Sequence, residues 1–137
     1  MADRTELKRM RREFLGITDD SERFIFYRQH YDTIQRGQAD AKSSYNYLKL
    51  EKEMLEYLTR DKGLAYTILI NNLALLLSEL ASYEPENASG YLKDAKAYHE
   101  EAARIAKDSG DEKKYAIDIN NLAGLLSELA SYEPENA

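Results

Sequence analysis

An all-α fold is predicted by three features of the chain. Apolar residues recur at intervals of three and four along every long segment, the period of a helix with one buried face. No segment sustains apolar–polar alternation with β-branched enrichment, so strands are not expected. Only two prolines and six glycines fall within the 137 residues, which suits helices joined by short connections. A fourth feature sets the organisation. The segment Asn71–Ala88 recurs as Asn120–Ala137 with one difference: Leu75 in the first copy is Gly124 in the second. Such self-similarity predicts a repeat array, in which each unit buries its apolar face on a neighbour and the stack presents an extended surface.

The elements follow in order. Residues 5–15 place Leu7, Met10, Phe14 and Leu15 on one stripe, a short amphipathic helix ending near Gly16. Thr18-Asp19-Asp20-Ser21-Glu22 offers N-cap residues for a second helix, which carries Phe24, Tyr27, Tyr31 and Ile34 and is expected to break at Arg36-Gly37-Gln38. A third helix has Tyr47, Leu50, Met54, Tyr57 and Leu58 on one side and ends near Asp61-Lys62-Gly63. The fourth is the most regular, with Tyr66, Ile70, Leu73, Leu77 and Leu80 on its apolar side and Ile68, Asn71, Asn72, Leu75, Ser78 and Glu79 opposite. Glu84-Pro85 closes it, because proline disfavours a helical residue before it. Ser89-Gly90 is read as a turn. A fifth helix carries Leu92, Ala95, Tyr98, Ala102, Ile105 and Ala106 and stops at Asp108-Ser109-Gly110-Asp111; a sixth, Tyr115 to Tyr132, repeats the fourth.

Composition narrows the chemistry. The net charge of −6 resides in the second half, which disfavours nucleic acid. The one basic cluster, Lys8, Arg9, Arg11 and Arg12, is interleaved with acids and reads as a solvated helix face. Cysteine is absent, so neither disulfides nor thiolate metal sites are expected. The first residues alternate in charge where a secretory leader is apolar, and the most apolar run, 64–77, is shorter than the ~20 residues of a membrane span. These features point to a soluble, cytoplasmic protein without membrane contact. The two histidines, His30 and His99, form no two-histidine metal motif. His99 occupies a core slot and is expected to be packed or hydrogen-bonded. No phosphate loop or nucleophile motif is present, so neither enzymatic activity nor a cofactor is expected.

At these residues the chain resembles the tetratricopeptide repeat family. Ile70, Leu73, Ala74 and Leu77, and again Ile119, Leu122, Ala123 and Leu126, match the family's first-helix pattern; Ala95, His99 and Ala102 are similar to its second. The wording Ile-Asn-Asn-Leu-Ala is similar to the long-repeat variety of kinesin light chains and bacterial arrays, with units longer than the standard about 34 residues. The family's terminal proline is absent, with Lys107 near its place. The resemblance implies a right-handed superhelical array: a capping helix over 1–18, then 21–137 divided into a degenerate hairpin (21–63), a full repeat (64–112) and a half repeat (113–137).

It also implies a protein–protein interaction scaffold. An extended peptide or partner helix, neutral or basic, would lie in a concave groove lined by Ile68, Asn72, Leu75, Ser78, Glu79, Ile117, Asn121, Gly124, Ser127 and Glu128. Asparagine is a poor residue for a helix interior, yet Asn71-Asn72 and Asn120-Asn121 lie mid-helix. Two readings are open: bonds between neighbouring helices, or, as the family implies for Asn72 and Asn121, amides gripping a peptide backbone. Gly124 marks either a widened groove, a relaxed position or a close backbone approach. Ile68 and Ile117 stand where the family's chaperone-tail binders carry basic residues, so no carboxylate clamp is expected. A different expectation attaches to the second copy, which has no covering helix after it. Ile119, Leu122, Leu126 and Leu129 would then form an apolar stripe, and a shortened or duplicated array would self-associate through it, as a two-fold dimer or by exchange of helices.

Overall fold

The computed structural model describes residues 2–62 and 65–132, and all regular structure among them is helical. The helices are α1 (Ala2–Leu15), α2 (Asp20–Ala39), α3 (Ser44–Thr59), α4 (Tyr66–Tyr83), α5 (Ala88–Asp108) and α6 (Glu112–Tyr132), with a single 3-10 turn at Pro85–Asn87. The chain divides into two compact units, Met1–Tyr66 and Thr67–Ala137. No described helix is long and apolar enough to cross a membrane.

In the first unit, Asp19 caps α2 by accepting a hydrogen bond from the Glu22 backbone N–H at 3.0 Å. Met10 and Phe14 of α1, Tyr27 and Ile34 of α2, and Tyr47, Leu48, Leu50, Met54 and Leu55 of α3 form its core. The Phe14 ring meets Phe26 and Tyr57 with centroids 6.0 Å away in each case. Tyr31, expected on the packed stripe, is 40% exposed. The predicted break at Arg36-Gly37-Gln38 does not occur; α2 continues to Ala39. Glycine is there to admit a neighbour: a Cβ on Gly37 would lie 2.2 Å from the buried Tyr47 ring. The reversal comes later, where Ser43 Oγ donates to the Gly37 carbonyl at 2.8 Å.

A buried carboxylate ties α2 to α3. Glu51 accepts from Tyr27 Oη at 2.5 Å, from Gln38 Nε2 at 2.7 Å and from Gln35 Nε2 at 3.3 Å. Arg11 binds Glu53 through two hydrogen bonds of 2.6 and 3.0 Å on the exposed side of α1, while Lys8, Arg9 and Arg12 face solvent. Exposed pairs of this kind contribute about 0–1 kcal/mol, so apolar packing carries this unit.

In the second unit, Ser89 and Gly90, expected as a turn, lie inside the first turn of α5. The 3-10 turn at Pro85–Asn87 accomplishes the reversal instead, with Ala88 fully buried beneath it and Tyr91 Oη donating to Glu84 Oε2 at 2.8 Å. The end of α5 is sharper. Gly110 adopts φ +79°, its N–H reaches the Lys107 carbonyl at 3.1 Å, and the Asp111 N–H reaches Ala106 at 2.9 Å. This double closure needs a left-handed residue, hence glycine. Asp111 then accepts from the Lys114 backbone N–H at 3.0 Å and starts α6 at Glu112, three residues before the expected Tyr115. Two reversals therefore return α6 to the direction of α4.

Candidate functional site

Each copied helix carries three kinds of surface. On α4 the apolar side is closed: Ile70, Leu73, Ala74, Leu77, Leu80 and Ala81 are all buried. On the far side Ile68 and Leu75 are 60% and 48% exposed, Glu79 is exposed, and Asn72 and Ser78 are half-buried between them. On α6 the corresponding side has Ile117 54% exposed, Gly124 and Ser127 exposed, and Asn121 and Glu128 half-buried. A Cβ on Gly124 would meet nothing within 4 Å. No neighbouring backbone demands glycine there, which removes the close-approach reading. The surface is simply lower at that point than at Leu75.

A polar network joins α4, α5 and α6. Asn71 Nδ2 of α4 donates to Asp118 Oδ1 of α6 at 2.9 Å, and Asn71 Oδ1 lies 3.2 Å from His99 Nδ1 of α5. Lys114, one turn before Asp118, donates to both its carboxylate oxygens at 2.8 and 3.0 Å. An ionised carboxylate only accepts, so the Asn71 amide turns its N–H toward Asp118 and its oxygen toward His99. That oxygen in turn requires the proton on His99 Nδ1. One asparagine thus bonds three helices. Of the two readings left open for the asparagines, Asn71 realises the structural one, whereas Asn72 faces the exposed stripe. His30 is in the first unit, stacked on Phe26 with centroids 4.0 Å away and with Nδ1 2.9 Å from the Phe26 carbonyl.

Asp118 and Lys114 were not among the residues singled out from sequence, though a signal existed. Asp118 is the counterpart of Leu69 in the other copy. Both positions are buried, at 0% and 2% exposure, so an acid has replaced an apolar core residue and needs partners there.

Burial lowers the pKa of His99; the nearby Asp118 charge opposes the shift and Lys114 adds to it. The neutral ring is therefore favoured in the folded state. The stability this confers is complete above the unfolded value of about 6.5 and is lost as pH falls toward and through the lowered folded value. The melting temperature of the parent should accordingly drop as pH falls below about 6.5, and His99→Gln should flatten that segment of the profile. Identical profiles for the two proteins would mean that His99 does not titrate with unfolding.

The stripe expected for self-association is only partly covered. Ile119 and Leu126 are 39% and 43% exposed, and Leu122 and Leu129 are half-buried. Beside them Leu125 is buried, as is Asp118, on the side of α6 that packs toward the rest of the unit. Among the described residues no cluster of three or more His, Asp or Glu side chains is placed to hold a metal ion. No protein-family model, curated protein or solved structure matches the chain.

Proposed function

We propose that the chain is a tetratricopeptide-like, right-handed helical array whose role is to bind another protein. The observation that carries this reading is the pair of stripes on α4 and α6. Single exposed aliphatic residues are ordinary on any surface. Here Ile68 and Ile117 recur at matched positions on α4 and α6, with Leu75 added on α4 where α6 has Gly124, and each stripe has a half-buried amide, Asn72 or Asn121, in its middle. The aliphatic side chains would select partner side chains by burial. The amides, each with donors and an acceptor, suit a peptide backbone. The acidic character of the second half favours a neutral or basic segment.

Selection from a displayed random-peptide library, followed by binding isotherms on the peptides recovered, tests the proposal. The expected ligands are extended, aliphatic and not acidic. Asn72→Ala and Asn121→Ala should each weaken them by about 0.5–3 kcal/mol without lowering the melting temperature, and Ile68→Asp with Ile117→Asp should remove binding. Peptides that bind the double aspartate variant as well as the parent would refute the groove.

A further inference from the structure

Several charges of the first unit pair off: Arg11 with Glu53, Arg23 with Asp20, Lys52 with Glu56 and Arg9 with Glu13. One group of three does not. Glu6 of α1 and Arg36 and Asp40 at the end of α2 line a single cleft of about 300 Å³, yet among the described residues the side chains of Glu6 and Arg36 have no hydrogen-bond or ion-pair partner. Arg36 and Asp40 have the i, i+4 spacing that pairs charges along a helix. The chain leaves α2 at Asp40, with φ −87° and ψ 115°, and the Asp40 carboxylate accepts instead from the Lys42 backbone N–H at 3.1 Å. Glu6 is half-buried, so its carboxylate lacks both a counter-ion and full hydration. The rest of the lining is of a different character. Gly37 carries no side chain, and the Tyr47 ring occupies the space where one would be, so the wall there is backbone and aromatic carbon. Ser43 Oγ donates to the Gly37 carbonyl and keeps its lone pairs for another donor.

From this cleft we infer a binding site for a small basic amino acid, an α-amino carboxylate with a second amine on an aliphatic stem. The lining carries two negative charges and one positive; such a ligand carries the reverse. Arg36 would take the carboxylate in the forked geometry that a guanidinium favours, and Glu6 and Asp40 would take the two ammonium groups. The methylene stem would lie on Gly37 and the Tyr47 ring, as the stems of charged side chains lie on apolar surface. Other ligand classes fit less well. An anion meets two carboxylates here, a bare metal ion meets a guanidinium, and the volume stands at the lower end of the range for small-molecule pockets. The cleft belongs wholly to the first unit, so the inference does not depend on the stripes of α4 and α6.

Titration of L-lysine into the intact, isotope-labelled protein, followed by amide chemical shifts, tests the site. Shifts at Thr33, Gly37 and Tyr47 should saturate together. Norleucine, which lacks the side-chain amine, and cadaverine, which lacks the carboxylate, should each bind the parent at least about tenfold more weakly. Arg36→Met should weaken lysine at least about tenfold and leave cadaverine unchanged, whereas Glu6→Gln and Asp40→Asn should weaken both ligands, with melting temperatures near that of the parent. Asp94→Asn, which removes an exposed negative charge from the second unit, should change nothing. Absence of saturable shifts overturns the inference. So does cadaverine binding as tight as that of lysine, which would make the cleft a plain cation site; this comparison is made on the parent and needs no variant to fold. Lysine binding that Asp94→Asn weakens as much as Glu6→Gln does would overturn it too, since that is diffuse attraction to an acidic protein.

Discussion

Gly37→Ala is expected to destabilise the first unit by about 1–3 kcal/mol, the cost of forcing volume into a packed core. In an ordinary helix interior the same substitution stabilises by up to about 1 kcal/mol, so the sign itself is informative. The added Cβ would lie 2.2–2.4 Å from three carbons of the Tyr47 ring. That ring is 3% exposed and is not the free end of a flexible chain. Either the ring leaves its place or α2 and α3 separate. Urea unfolding of Gly37→Ala, Tyr47→Ala and the double variant checks this. Tyr47→Ala alone should cost about 3–5 kcal/mol, as loss of a buried aromatic side chain does. In the double variant the alanine at 37 should cost almost nothing further, a coupling of the sort contacting residues show. A stabilised Gly37→Ala protein would mean that the ring moves aside freely.

Leu77→Ala and Leu126→Ala change the same residue in the same local sequence, yet the first should cost about 2–5 kcal/mol and the second about 1 kcal/mol or less. Leu77 is 2% exposed and Leu126 43%. Truncation at Leu77 leaves a cavity that surrounding side chains fill only partly, whereas at Leu126 water already reaches the side chain. Thermal melts of the two variants provide the comparison. Equal costs would indicate that the outer face of α6 is covered in solution.

The helices were legible because each rests on a period of three to four that needs no tertiary information. The cap at Asp19 and the stop at Ser109-Gly110 were equally local. What escaped depended on a second element. Gly37 reads as a helix breaker until the Tyr47 ring is placed against it. Ser89-Gly90 reads as a turn until Ala88 is seen to be buried one residue earlier. Tyr31 fits the apolar stripe of α2 by spacing and is nonetheless exposed, because spacing does not say how wide the covered arc is. At the candidate site, the exposed stripe of Ile68, Leu75 and Ile117 was readable from its place opposite the apolar face. The bond from Asn71 to Asp118 was not, since it joins residues far apart in sequence. Its trace was the acid standing where the other copy has Leu69.

Gly124 has a consequence for how such a surface can change. Alterations to a binding face commonly reduce stability, and that loss limits how many a protein tolerates. At Gly124 the two effects run in the same direction. The position is helical and open, with nothing within 4 Å of an added Cβ, so almost any residue except proline would gain helix propensity, up to about 1 kcal/mol for alanine, while reshaping the exposed face of α6. Were the proposed groove in use, a lineage or a library varying this one position could explore new ligands without first acquiring compensating mutations elsewhere.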